Sequence, residues 1–166
     1  GLVRQMRDPE HGYCASFGQP ADVVYSAARR FLDDVMFAYA RSRGKSRWAE
    51  KTPNNALHLE GLHTILPDAR YVWITRDPLD VVHSTVHVAD HRKGIAPVYE
   101  RSLRMTPAAS VESTALAAAM RWVNWNKRIE RFLEDKASVH LTYESLVCAP
   151  AAELRRLCAF LEEPFD

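Results

Sequence analysis

The sequence predicts an α/β fold with parallel neighbouring strands. Two observations carry that expectation. Stretches with apolar residues at three- and four-residue spacing alternate along the chain with short runs of β-branched and aromatic residues. Strand, helix, strand, helix in alternation demands crossover connections, and those place strands side by side in parallel. Ligands bind such sheets beyond the C-terminal ends of the strands.

Each element has its own reason. Residues 1–20 read as irregular, broken by Asp8-Pro9, Gly12, Gly18 and Pro20. From Asp22, a candidate N-cap, a helix carries Val24, Ala28, Phe31, Leu32, Val35, Met36 and Tyr39 on one face, and Gly44 ends it. Arg47–Lys51 reads as a short strand stopped by Pro53. Asn54 or Asn55 can cap a second helix bearing Leu57, Leu59, Leu62, Ile65 and Leu66. Tyr71–Thr75 is the clearest strand, and Pro78 opens the helix after it, running toward Arg92. Residues 93–110 read as a loop, Val111–Lys136 as a long helix, Ser138–Leu141 as a third strand and Leu146–Leu161 as a last helix. The three strand ends expected at one edge are then Lys51, Arg76 and Tyr143.

Composition narrows the function classes. The 166 residues hold 22 Lys+Arg against 21 Asp+Glu, a balance that argues against a polybasic nucleic-acid or membrane binder. No apolar run reaches the ~20 residues of a membrane span, and the charged start has no signal-peptide core. Gly1 in place of Met reads as a cut chain. Cys14, Cys148 and Cys158 are odd in number and lack metal-type spacing, so they read as reduced thiols and a cytoplasmic location.

Three segments carry chemistry. In Arg76–Ser84 a strand delivers Arg76 to its end, Asp77 can cap the helix opened by Pro78, and free backbone N–H groups are expected beside the guanidinium. Arg76 and Ser84 together could grip one phosphate; a surface arginine and a solvated helical serine would share the spacing. In Glu50–Asn55, Lys51 puts an ammonium at the same edge, suited to charge developing on a transferred group, or else serves as a lysine near a helix start. In Leu141–Leu146, Tyr143 either meets a nucleotide or packs in the core.

These segments, in this order, resemble the sulfotransferases that use 3′-phosphoadenosine-5′-phosphosulfate (PAPS). The likeness is to the bacterial-type Lys-Thr-Pro / Arg-Asp-Pro branch, related to tyrosylprotein sulfotransferases. It spans about Arg47–Phe165, through Lys51-Thr52-Pro53, Leu66–Pro78, Thr142–Leu146 and Phe160-Leu161. The resemblance implies a P-loop-like parallel sheet with helices on both faces. It implies that Arg76 and Ser84 bind the 3′-phosphate, Tyr143 contacts the nucleotide, and Lys51 serves both as cofactor-binding and as catalytic residue beside the sulfuryl group. The 3′,5′-bisphosphoadenosine (PAP) product leaves, no metal is required, and the acceptor is a small-molecule or peptide hydroxyl or amine.

The family's N-terminal strand, 5′-phosphosulfate loop and helix have no counterpart before Arg47, so the chain reads as a single partial domain over 1–166. Within it, 1–46 is an irregular segment and helix, and 47–166 the nucleotide-binding part. A catalytically inactive nucleotide-binding remnant, or a scaffold fragment of a larger synthase, is the alternative. A kinase is disfavoured, because neither a Walker lysine loop nor a Mg²⁺-holding acid is recognisable. Glu50, His58 and His83 are candidate general bases. His83, His87 and His91 form a helical stripe that reads as a polar face, with metal binding as the sharper alternative. Trp122 and Trp125 read as core packing or an acceptor-pocket wall.

Overall fold

The computed structural model describes residues 18–91 and 111–165. The chain divides after Ala69 into two compact units. The expected irregular start, except for its last few residues, and the expected loop at 93–110 lie outside the described residues.

In the first unit, helix α1 (Ala21–Ser42) starts one residue before the expected Asp22. Pro20 takes the cap position and no side chain caps the end; Asp22 sits in the first turn instead, where its charge suits the helix dipole. Arg29 ties α1 together and to the turn after the next helix, donating to Asp33 at 2.6 Å and to Asp68 at 3.1 Å. The bond to Asp33 is the main reason its pKa is raised. Gly44, at φ +66°, follows the end of α1 in the left-handed conformation that glycine accepts without strain.

The strand expected at Arg47–Lys51 does not form: residues 47–52 have no regular structure. A strand needs a neighbour for its N–H and C=O groups, and Pro53 removes the next donor. Trp48 instead meets Phe37 of α1 edge-on, with ring centroids 6.4 Å apart. The second helix also differs from expectation. A single 3₁₀ turn, Pro53–Leu57, comes first, with Thr52 rather than Asn54 or Asn55 before it and no side-chain cap. Helix α2 (Leu59–Ile65) follows, burying Leu59, Gly61 and Ile65, and packs against α1.

The second unit is a mixed helical fold around a small parallel sheet. Strand β1 (Tyr71–Thr75) pairs in parallel with β2 (Ser138–Thr142), from Tyr71 opposite Ser138 to Thr75 opposite Thr142. Among the described residues these are the only two strands, not the three expected. Helices α3 (Pro78–His91) and α4 (Val111–Leu133) lie between them in the chain and pack on each other. One sheet face carries Val139 and Leu141, buried with only 8% and 1% exposure, beside Val72 and Ile74, which are 40% and 54% exposed. On the other face Trp73 stacks on His140 with centroids 4.3 Å apart, and its indole donates to Asn126 Oδ1 of α4 at 3.1 Å.

The single last helix expected over Leu146–Leu161 is two: α5 (Tyr143–Cys148) and α6 (Pro150–Leu161). Thr142 Oγ1 accepts from Ser145 N and starts α5 early. Pro150 then forces Ala149 out of the helical region, to φ −138° and ψ 58°, and opens α6. Arg70 anchors the entry to β1 on the end of α6, donating to Phe160 O and Glu162 Oε1 at 2.6 Å each. Among the described residues, no helix is long and apolar enough to cross a membrane.

Candidate functional site

The turn between β1 and α3 is the best-built polar site. Beta-branched and aromatic residues hold Tyr71–Thr75 extended, and the ladder with β2 ends at Thr75. Arg76 therefore emerges beyond the last ladder pair. Asp77 caps α3 as expected: its Oδ1 accepts from Leu79 N at 2.8 Å and Asp80 N at 3.2 Å. Pro78, lacking an N–H, takes the first helical position.

The free N–H groups expected at this helix end are not free. Asp77 takes two of them, the N–H of Asp77 itself donates to Glu144 Oε1 at 2.8 Å, and Val81 N bonds Asp77 O at 3.1 Å. With carboxylates occupying the backbone donors, recognition of an anion here falls to side chains.

Arg76 supplies the cation. Its Nε and one terminal nitrogen both reach Asp80 Oδ2, at 3.2 and 2.9 Å, and its guanidinium carbon lies 4.8 Å from the centre of the Tyr143 ring. Its side chain remains 43% exposed, so a face of the fork is open to solvent. Tyr143 is the first residue of α5, directly after β2, and is 44% exposed. The structure thus brings two predicted site residues, Arg76 and Tyr143, into contact.

Ser84 stands on α3 one turn beyond Asp80. Asp80, His83, Ser84 and His87 have the i, i+3, i+4, i+7 spacing of one helix face, and all four are exposed, while Val81, Val82, Thr85 and Val86 are half-buried. The stripe leads away from Arg76 along the helix. The His83 and His87 rings are stacked, with centroids 6.3 Å apart and planes 11° apart. The side chain of His91 lies outside the described residues. Among the described residues no three His, Cys, Asp or Glu side chains gather as a metal site.

Lys51 belongs to the first unit. It is exposed and sits on irregular backbone, not at a strand end. The neighbouring Glu50 carboxylate is engaged by Thr52 Oγ1 and Asn55 Nδ2. His58, another candidate base, is half-buried between the 3₁₀ turn and α2.

Two residues of the site have roles that sequence reasoning missed. Trp122 of α4 donates from its indole N–H to Arg76 O at 3.2 Å, and Glu144 accepts from Asp77 N. Their partners lie 46 and 67 residues away, beyond any local pattern.

Comparison with known proteins bears on the family and the fold. Residues 5–166 match the model of the sulfotransferase family. The chain is 26% identical over 154 residues to a Caenorhabditis elegans protein named as a protein-tyrosine sulfotransferase, covering 90% of this chain and 52% of that protein. A solved sulfotransferase domain from the curacin biosynthetic pathway superposes with a TM-score of 0.57 at 19% identity, over 100% of this chain and 56% of that one. That likeness supports the fold. The chain spans about half the length of these relatives. Since the match takes in nearly the whole of this chain, the chain belongs to the sulfotransferase family.

Proposed function

We propose that this protein transfers a sulfuryl group from PAPS to a hydroxyl or amine of a small-molecule or peptide acceptor. The observation that carries the reading is the exposed Arg76 guanidinium, laid over the Tyr143 ring at the end of β1 in a chain of this family. A planar fork that donates two parallel N–H bonds suits a phosphate, and an aromatic ring beside it suits a nucleotide. Arg76 and Ser84 bind the 3′-phosphate, with Ser84 adding a neutral donor from the same exposed face of α3 as Asp80. Tyr143 contacts the nucleotide.

The acceptor oxygen or nitrogen attacks sulfur in line. A new bond to sulfur forms as the bond from sulfur to the 5′-phosphate oxygen breaks, and its electron pair stays on PAP. The acceptor's proton passes to a base. Such transfers depend on positioning and on neutralising charge on the leaving oxygen. Lys51 supplies that positive charge.

Calorimetry with PAP and adenosine 5′-phosphate tests the donor site. Tighter binding of PAP is expected, and equal affinities would remove the 3′-phosphate assignment. Sulfate transfer from PAPS to a panel of phenols, amines and tyrosine peptides then tests the reaction class.

A further inference from the structure

The peptide unit that joins Arg76 to Asp77 is gripped at both of its polar ends by side chains distant in sequence. Its carbonyl accepts from the Trp122 indole of α4 at 3.2 Å, and its N–H donates to Glu144 of α5 at 2.8 Å. Neither group belongs to the regular ladders. The sheet ends at the Thr75–Thr142 pair, and the N–H of a helix-capping residue lies outside the helix's own bonding. Unmet backbone groups of this kind normally turn to water. Here they fix the peptide plane, and with it the two dihedrals flanking it, ψ of Arg76 and φ of Asp77.

We propose that Trp122 and Glu144 form a clamp that aims the Arg76 side chain, so that they are positioning residues for anion binding. The clamp rests on the reading of Arg76 as the phosphate anchor. Three features support it. The elements that hold the peptide are also those that frame the guanidinium: Tyr143, under the fork, is the chain neighbour of Glu144. Trp122 is itself placed by Asn126, which donates to Trp122 O at 2.8 Å and accepts from Trp73 of β1 at 3.1 Å. Asp80 then holds the fork from the first turn of α3. The backbone and the guanidinium of Arg76 are thus fixed separately.

The chemistry also distinguishes the two halves of the clamp. Glu144 is used as an acceptor, and its negative charge works against a bound phosphate. Glu144→Gln keeps an acceptor oxygen and removes the charge, whereas Glu144→Ala removes both. Trp122→Phe keeps the ring and removes the donor.

The test measures PAP affinity by calorimetry, and hydrogen exchange of the Asp77 amide by NMR without ligand. For Trp122→Phe we expect PAP affinity to fall about three- to tenfold, the loss of one net hydrogen bond, and Glu144→Ala should bind PAP more weakly than Glu144→Gln by a similar factor. Glu144→Gln should bind PAP at least as tightly as wild type. In an Arg76→Ala background, Trp122→Phe should cost no further affinity, because it acts through the arginine. The Asp77 amide should be protected in wild type and Glu144→Gln and should exchange faster in Glu144→Ala. Equal exchange in wild type and Glu144→Ala, or undiminished PAP affinity in Trp122→Phe together with equal affinities of Glu144→Ala and Glu144→Gln, overturns the clamp. Failure of the wild-type protein to prefer PAP over adenosine 5′-phosphate overturns the phosphate reading instead, while the exchange result still decides whether Glu144 holds the peptide. Thermal melts establish that each variant is folded.

Discussion

Arg76 and Lys51 are the two cations on which the proposed chemistry depends, and their surroundings differ. Arg76 follows a paired strand, its peptide is bonded by two distant side chains, and its guanidinium is fixed by Asp80 and Tyr143. Lys51 stands on unpaired, irregular backbone, and the bonds beside it are local, from Thr52 and Asn55 to Glu50. The contrast separates the proposed anchor, whose surroundings are ordered by folding, from the proposed charge stabiliser, which stands on irregular backbone. An anchor binds tightly when its ordering cost is met in folding. A group that serves the transition state is instead judged by how much more strongly it acts there than on bound substrate.

Substitutions at the two cations test the contrast. The largest effect is expected at Lys51. If it stabilises charge on the leaving oxygen, Lys51→Ala lowers kcat roughly 10²-fold in the catalytically competent protein. PAP affinity should change little, since PAP lacks the sulfuryl group, and Lys51→Arg should rescue only partly. Steady-state rates and product titrations check it, and near-normal turnover would take Lys51 out of the mechanism.

Arg76 comes next, with the opposite signature. Arg76→Ala should cost about 1.5–3 kcal/mol of PAP affinity, and Ser84→Ala about 0.5–1.5 kcal/mol. Calorimetry that ranked the serine above the arginine would reverse the roles.

A third experiment concerns the strand behind Arg76. Burial raises the pKa of Tyr71 above the ordinary value of 10.0. Its folded-state pKa exceeds the unfolded one, so its contribution is fully present below pH 10.0 and is lost as pH rises through the folded value. Chemical denaturation between pH 9 and 11 should show stability falling, and Tyr71→Phe should flatten that fall.

The smallest effect is expected at Glu162, where α6 ends with a non-glycine residue at φ 59°. Glu162→Gly relieves left-handed strain worth ~1 kcal/mol and gives up an exposed pair with Arg70 worth less. A gain of a few tenths of a kcal/mol is expected in denaturant melts. A clear loss would show that the Arg70 pair anchors β1 more strongly than exposed pairs usually do.

What was legible in the sequence follows the range of the forces involved. Tyr71–Thr75 and the Asp77-Pro78 helix start are written in neighbouring residues, and both form where expected. Gly44 likewise marks the end of α1. The strand expected at Arg47–Lys51 failed because a strand is a property of a pair, and five residues cannot declare their partner. The break between α5 and α6 is marked by Pro150, and the early start of α5 by Thr142 three residues before Ser145; the expectation of one helix from Leu146 used neither mark. At the candidate site, Arg76 and Tyr143 were readable as residue types at strand ends. The saturation of the α3 start by Glu144 and the hold of Trp122 on Arg76 arise only from folding, across 67 and 46 residues.

The uneven sheet face has a consequence for the protein as a colloid. Parallel strands are ordinarily covered on both faces, yet Val72 and Ile74 are open to solvent while their ladder partners Val139 and Leu141 are not. Tyr71-Val72-Trp73-Ile74-Thr75 is also β-prone, uncharged and free of proline, the makeup of a segment that templates stacking between chains. Self-association of this chain through the open face of β1 at high concentration is the expected outcome, and light scattering of wild type against Ile74→Lys checks it. A charged residue at Ile74 relieves that tendency and leaves the Trp73 face of the strand untouched.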